Sequence, residues 1–283
     1  MSHSLLSPTD LSITDIENIF MRADEITNGT LLDLKNKRVT LALFNTAFPL
    51  PVQVEKILGE ANAQVNLISN NANLGEIAKQ ANAFNADVIL FSHPQSDSAR
   101  ELAGNTRAAV LNAGDGTHEN PVRALIDVYT IRSLKGDFKK IRIALLGNLK
   151  FSAEAHSLAR TLGVFETRLS FVTPAALSMP YDLTDEVRLT AYEVEETNDL
   201  ATTLRKTDVL YLVKIDPIRV EKKIYDKLNN FYALMPETFA EAKDGLVVLG
   251  EWENAKALLS PTRPQVERAA RAILLTLIEY ATM

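Results

Sequence analysis

The feature that most constrains the fold of this 283-residue chain is a regular alternation of short apolar runs with amphipathic stretches. Residues 38–44 (RVTLALF), 87–92 (DVILFS) and 108–112 (AAVLN) are runs of this kind, separated by stretches with helical periodicity. Parallel strands joined by helices produce such a pattern, because each strand is covered on both faces and is apolar throughout. The sequence therefore predicts an α/β fold in which helices cover both faces of a parallel sheet.

The pattern starts again after a helix predicted over residues 121–134, which ends at Gly136. Further strands are predicted in the second half of the chain, at residues 142–146, 168–172, 189–191, 209–213 and 246–249, with a helix at 197–205. A chain of this length suits two domains. We predict an N-terminal domain over 1–135, a C-terminal domain over 136–263, and a closing helix over 264–283 that packs back on the N-terminal domain.

Composition excludes several classes of function. The chain has no cysteine, so it has no thiolate nucleophile, Cys–Zn site or Fe–S cluster. Its formal net charge of −6 argues against nucleic acid as a partner. No phosphate-binding glycine motif and no metal-ligand spacing of histidines is found, so neither a cofactor nor a metal is expected. With no apolar run of membrane-spanning length and no signal-peptide pattern, we expect a cytoplasmic protein without a membrane partner.

Two short polar segments stand out because each follows a predicted strand. Residues 92–95 have the sequence SHPQ, and residues 112–121 have the sequence NAGDGTHENP. Open parallel sheets bind ligands at the carboxyl ends of their strands, so this position favours a functional site. The alternative is that both segments are tight turns that only connect elements.

These segments and several others resemble motifs of the aspartate and ornithine carbamoyltransferases, most closely the aspartate branch of that family. His93-Pro94-Gln95 is similar to the family's RHPQ, residues 112–131 to NAGDGxxxHPTQxLLDLxTI, and residues 147–151 (GNLKF) to GDLKYG. The resemblance implies two Rossmann-like domains and a homotrimer with active sites shared between neighbouring subunits. It also implies that carbamoyl phosphate would bind the first domain and the amino acid the second.

The resemblance fails at the residues that hold carbamoyl phosphate in the family. The family's phosphate loop, STRTR, corresponds here to residues 47–51 (AFPLP), directly after Asn45 and Thr46. Ser92 stands in place of the arginine before His-Pro-Gln, Asn120 in place of the histidine before proline, and Arg123 in place of the glutamine. His118 matches only a less critical position. A phosphate dianion needs several charge-assisted donors, so carbamoyl phosphate binding should be lost.

The second domain departs from the family in the same way. Lys214 and Asp216 stand in place of the arginine and glutamine of the TRVQ motif. The HPLPR loop corresponds to residues 250–254, which have the sequence GEWEN. The carboxylates of an amino acid substrate therefore lose most of their partners, and the site changes from strongly cationic to neutral or acidic.

Two hypotheses follow. In the first, the chain is a catalytically silent paralogue with a structural or regulatory role, partnered by an active transcarbamoylase or a dihydroorotase. In the second, the interdomain cleft serves a different, less anionic substrate. His93 would then be a general acid or base, unless it is only a turn residue satisfied by the backbone. The ligand-binding residues would be Asn45, Thr46, His118, Asn120, Arg123, Lys150, Lys214, Asp216, Trp252 and Glu253. Ordinary aspartate carbamoyl transfer is the least favoured interpretation of the sequence.

Overall fold

The computed structural model describes residues 3–44, 51–68, 72–136, 138–139, 141–215, 222, 225, 234, 236–252 and 255–283. The chain forms two compact units. The first comprises Met1–Thr130 and Val266–Met283, and the second comprises Ile131–Gln265. The first boundary thus falls inside a helix that begins at Pro121 and ends at Lys135.

The first unit is built on a four-stranded sheet. Its strands are β1 (Arg38–Leu43), β2 (Gln64–Leu67), β3 (Val88–His93) and β4 (Ala109–Asp115), in the spatial order β2-β1-β3-β4. All three strand pairs are parallel. The accompanying helices are α1 (Ile13–Thr27), α2 (Pro51–Glu60), α3 (Leu74–Phe84), α4 (Ser98–Asn105) and α5 (Pro121–Lys135).

The second unit is built on a five-stranded sheet in the order β7-β6-β5-β8-β9. Its strands are β5 (Arg142–Gly147), β6 (Arg168–Val172), β7 (Glu193–Thr197), β8 (Val209–Val213) and β9 (Val247–Gly250). The helices are α6 (Ala153–Gly163), α7 (Tyr181–Arg188), α8 (Leu200–Leu204) and α9 (Lys256–Leu259). All four strand pairs are parallel, which confirms the predicted α/β class of two parallel sheets flanked by helices.

Short 3₁₀ helices occur at Pro8–Asp10, Ala175–Leu177 and Pro236–Phe239. The last helix, α10 (Arg263–Ala281), returns the chain to the first unit. There, Arg22 on α1 donates two hydrogen bonds to Glu279 on α10, at 2.7 and 2.9 Å. Among the described residues, no helix is both long and apolar enough to cross a membrane.

One predicted strand is wrong. Residues 189–191 form a turn, and the strand at this edge is β7, which ends where a helix was expected to begin. The strand was missed because it carries glutamates where a buried strand carries aliphatic side chains. Glu193 pairs with Arg142 and Arg168, and Glu195 pairs with Lys206. Charged residues of this kind are typical of a sheet edge, where they discourage pairing with another chain.

The strand order reverses once in each sheet. In the first unit the chain runs from β1 to β2 and then crosses back to β3 on the other side of β1. In the second it runs from β5 through β6 to β7 and then crosses back to β8 beside β5. The connections on either side of such a point leave in opposite directions and open a crevice at the carboxyl ends of the strands. Each sheet therefore offers one ligand-binding position.

Two glycines allow close approach of the backbone at the carboxyl edge of the second sheet. A Cβ on Gly147 would lie 2.1 Å from the Val213 carbonyl oxygen, and a Cβ on Gly250 would lie 2.1 Å from the Leu212 carbonyl oxygen. Both glycines also have positive φ, at +127° and +96°. Any side chain there would meet fixed backbone, so the spacing of the strand ends depends on glycine.

Gly147→Ala tests this close approach. The new Cβ would meet backbone at a positive φ, so we expect the second unit to lose about 2–4 kcal/mol in free energy of unfolding. Urea unfolding can be followed by the fluorescence of Trp252, the single tryptophan of the chain, which lies in the core of this unit. Gly245→Ala is the matched control, since Gly245 has φ +72° with open space around it. Equal losses in both variants would contradict a role for the close approach.

Candidate functional site

The candidate site in the first unit lies where β1 and β3 end side by side. Leu43 pairs with Ser92, and the Phe44 N–H donates to the Ser92 carbonyl oxygen at 3.0 Å. His93 is the last residue of β3 and therefore lies at the predicted ligand-binding edge. Asn45 and Thr46, both predicted to bind ligand, lie outside the described residues.

The imidazole of His93 is held on several sides. Its Nδ1 accepts a hydrogen bond from the Gln95 N–H at 3.2 Å. The ring stacks on Phe91 with centroids 5.9 Å apart and packs edge-on against Phe44 at 5.8 Å. Burial lowers the pKa of His93 because it penalises the charged ring, while the negative charge of Glu101 acts in the opposite direction. The side chain is thus oriented and predominantly neutral at pH 7.

The loop between β4 and α5 closes on itself and on the end of β3. The Asp115 N–H donates to the Glu119 carbonyl oxygen at 3.0 Å, and the Glu119 N–H donates to Asp115 Oδ1 at 2.9 Å. The Gly116 N–H donates to the His93 carbonyl oxygen at 2.9 Å. A Cβ on Gly116 would lie 2.6 Å from the Ser96 backbone nitrogen, so glycine is needed where the two loops meet.

His118 lies between two carboxylates. Its Nδ1 is 3.4 Å from Asp97 Oδ1 and 3.6 Å from Asp115 Oδ2. Asp115 is buried, whereas Asp97 and His118 are exposed to solvent. Asp97 is not among the residues predicted from the sequence, because a contact between residues 97 and 118 depends on β3 and β4 being neighbours in the sheet. In the sequence, Asp97 stands out only because it lies directly before a predicted helix. That position suggests an N-cap residue rather than a partner for His118.

Asn120 and Arg123 are both buried at the start of α5. Asn120 Oδ1 accepts a hydrogen bond from the Arg123 N–H at 3.0 Å, which satisfies an amide of the first helical turn. Arg123 Nε donates to Asp127 Oδ2 at 2.7 Å, and the two side chains are 6% and 1% exposed. Asp127 supplies the opposite charge that a buried guanidinium requires. Both candidate residues therefore have internal structural partners.

The candidate residues of the second unit differ in how deeply they are buried. Lys150 and Lys214 follow β5 and β8, the two strands at the point of reversal, and both are exposed. Trp252 follows β9 and is only 8% exposed, because it belongs to the hydrophobic core with Leu146 and Leu212. Asp216 and Glu253 lie outside the described residues.

The structure thus brings His93 close to the loop that carries His118 and Asn120, and Arg123 lies in the first turn of the helix that follows, all within the first unit. Lys150, Lys214 and Trp252 follow neighbouring strands of the second unit. Within the described ranges, no group of three or more His, Asp or Glu side chains is placed to hold a metal ion.

Comparison with known proteins gives a consistent result. Residues 50–133 match the family described as aspartate/ornithine carbamoyltransferase, carbamoyl-P binding domain. The aspartate carbamoyltransferase catalytic subunit of Thermococcus onnurineus (strain NA1) is 28% identical, over 95% of this chain and 90% of that protein. The catalytic subunit of Archaeoglobus fulgidus is 29% identical, over 88% of this chain and 86% of that protein.

Structural similarity to a solved protein extends over nearly the whole chain. The crystal structure of aspartate transcarbamoylase from Trypanosoma cruzi in complex with carbamoyl aspartate and phosphate superposes with a TM-score of 0.85. The superposition covers 97% of this chain and 95% of that one, at 22% sequence identity. At this level of identity the likeness shows a shared fold.

Asp127→Asn tests the buried ion pair. The substitution keeps the shape of the side chain but leaves the charge of Arg123 buried without its counter-charge, so we expect a loss of about 3–5 kcal/mol in stability. Thermal and urea unfolding followed by circular dichroism would measure it. Glu25→Gln breaks the more exposed pair with Arg22 and should cost less than about 1 kcal/mol. Similar losses in the two variants would show that burial does not strengthen the inner pair.

Proposed function

We propose that this chain is a member of the aspartate/ornithine carbamoyltransferase family that has lost the ligands for carbamoyl phosphate and aspartate and acts as a silent structural or regulatory paralogue. The single observation that carries this proposal is the sequence of residues 47–51 (AFPLP), which stands where the family has its phosphate loop. This segment has no hydroxyl and no arginine.

Binding of carbamoyl phosphate depends on hydrogen-bond donors. A phosphate dianion is held by charge-assisted donors, each worth about 1.5–3 kcal/mol. Pro49 and Pro51 have no backbone N–H to offer, and the family arginine before His-Pro-Gln is replaced by Ser92, which is buried at the end of β3. Arg123 adds a cation to the first unit, but its Nε donates to Asp127. The hydrogen-bond donors that remain in the first unit do not supply the positive charge that the phosphate dianion of carbamoyl phosphate requires.

Binding of the amino acid depends in the same way on cationic side chains. Its carboxylates would need cations at the ends of the second sheet, where the sequence offers Lys214 beside Asp216, and Glu251 and Glu253 around Trp252. Trp252 is part of the core rather than an exposed platform. These features support the loss of aspartate binding.

Ordinary aspartate carbamoyl transfer is a second candidate, favoured by a specific observation. Several relatives that align over most of the chain are aspartate carbamoyltransferase catalytic subunits, at 26–29% identity. A third candidate is a binder or enzyme for a less anionic substrate. The orientation of His93 at the end of β3 favours it.

Turnover separates these candidates. We expect the purified chain to form no detectable carbamoyl aspartate from carbamoyl phosphate and aspartate, because the phosphate ligands are missing. The Archaeoglobus fulgidus catalytic subunit, assayed in parallel at its own working temperature, is the positive control. Appreciable turnover that scales with protein concentration would establish the ordinary activity and overturn the proposal.

A binding measurement makes the absence of turnover interpretable. A ligand present at about 100 times its Kd stabilises a folded protein by about 2.7 kcal/mol. Carbamoyl phosphate should therefore raise the melting temperature of the control enzyme and leave that of this chain unchanged. A clear rise for this chain would show that the phosphate site survives.

The proposal includes the family's assembly. Three chains of 31.3 kDa give a homotrimer of about 94 kDa, which light scattering after size exclusion would detect. Mixing with an active transcarbamoylase or a dihydroorotase tests the expected partners, since a regulatory paralogue should form a larger complex and alter the partner's turnover. A stable monomer with no effect on either enzyme would contradict the structural and regulatory role.

A further inference from the structure

Residues 3–10, which we call the strap, run along the outer edge of β4. Leu5 lies parallel to Leu111, and its side chain is fully buried. The Leu5 N–H donates to the Val110 carbonyl oxygen at 2.8 Å, and the Leu5 carbonyl oxygen accepts from the Asn112 N–H at 2.9 Å. The strap therefore extends the sheet of the first unit by one short parallel segment.

The side chain of Asn112 joins the strap to the loop between β4 and α5. Its Nδ2 donates to the Leu6 carbonyl oxygen at 3.0 Å and to the Glu119 carbonyl oxygen at 3.4 Å. Its Oδ1 accepts a hydrogen bond from the Gly114 N–H at 2.9 Å. Asn112 is completely buried, so these hydrogen bonds are made away from solvent. One amide group thus contacts the strap, the end of β4 and the loop.

A second contact joins the strap to the loop directly. The hydroxyl of Ser7 donates to Glu119 Oε1 at 3.5 Å, which is a long hydrogen bond. Both residues are buried. A carboxylate removed from water needs donors near it, and the strap supplies one of them to Glu119. The loop is therefore linked to the strap through both its backbone and a side chain.

The strap itself is held by separate short contacts. Asp10 Oδ2 accepts from the Leu6 N–H at 2.7 Å and from the Ser7 N–H at 2.9 Å, which fixes the bend before α1. At the other end, the His3 N–H donates to the Ala281 carbonyl oxygen of α10 at 3.3 Å. These contacts differ from the continuous ladder that joins β1 to β3.

We propose that the strap opens locally while the sheet stays folded, and that its opening releases the β4–α5 loop beside His93. Segments held by separate contacts open at a lower free energy than strands inside a ladder. Because the loop shares hydrogen bonds with the strap through Asn112 and Glu119, it becomes free to move when the strap leaves. The strap is thus a conformational device that sets how rigid the candidate site is, whether or not the chain forms carbamoyl aspartate.

Hydrogen exchange of the whole chain, followed by NMR, tests whether the strap and the loop open together. We expect the amides of Leu5, Asp115 and Glu119 to share one opening free energy, lower than that of the Leu90 amide in β3. Their opening should also depend less on urea than global unfolding does, because it exposes only a short segment.

Asp10→Ala removes the hydrogen bonds that hold the bend of the strap. We expect the same three amides to exchange about fivefold faster, as is typical when a helix-cap interaction is lost. Asp15→Ala is the matched control, because Asp15 Oδ2 accepts from the Ser12 N–H at 2.9 Å in the capping box of α1. Since α1 stays folded when the strap opens, this variant should accelerate exchange in α1 and leave the strap and loop amides unchanged.

Three results would each overturn the proposal. In the first, the loop amides of the wild type exchange as slowly as the Leu90 amide. In the second, they keep their wild-type rates in Asp10→Ala. In the third, Asp10→Ala and Asp15→Ala accelerate them equally, which would show that the loop opens only together with α1. Carbamoyl aspartate formation is measured separately, so the outcome for the strap and the outcome for the proposed function are distinguishable.

Discussion

Parallel pairing of neighbouring strands is the constraint on which the rest of this structure depends. A connection between parallel strands must return to the starting end, so every strand delivers its carboxyl end to the same edge of its sheet. In the first unit this edge carries His93 and the loop that follows Asp115. In the second it carries Lys150, Lys214 and Trp252. The candidate residues of each unit lie near one another because of this backbone topology. The reversals of strand order mark the crevices in which open parallel sheets bind ligands.

Burial then decides what each candidate residue can do. Arg123 and Trp252 were both predicted as ligand contacts, and each also has partners inside its own unit. The guanidinium of Arg123 requires Asp127, because a charge removed from water must be compensated, and the ring of Trp252 fills space in the apolar core. Lys150 and Lys214 remain exposed, and His93 is only partly buried. The predicted site residues therefore differ from one another in burial and in their internal partners.

Strands with two covered faces could be predicted from their apolar runs, as β1, β3, β5, β6 and β8 were. β7 could not, because an edge strand is stabilised by ion pairs with basic side chains of β5, β6 and the segment after α8. The position of His93 at a strand end followed from the sequence. Its orientation did not, since Phe44 meets the ring only when β1 lies beside β3. The pairing of His118 with Asp97 likewise requires two adjacent loops.

By itself, the sequence determined the α/β class, most of the succession of elements and the resemblance to the carbamoyltransferases. These properties are local, since they depend on periodicity and on the identity of side chains at given positions. Only the tertiary structure decided which candidates are buried, that Arg123 is neutralised by Asp127, and that His93 accepts at Nδ1. Those properties depend on distance and desolvation, which arise when segments far apart in the chain are packed together.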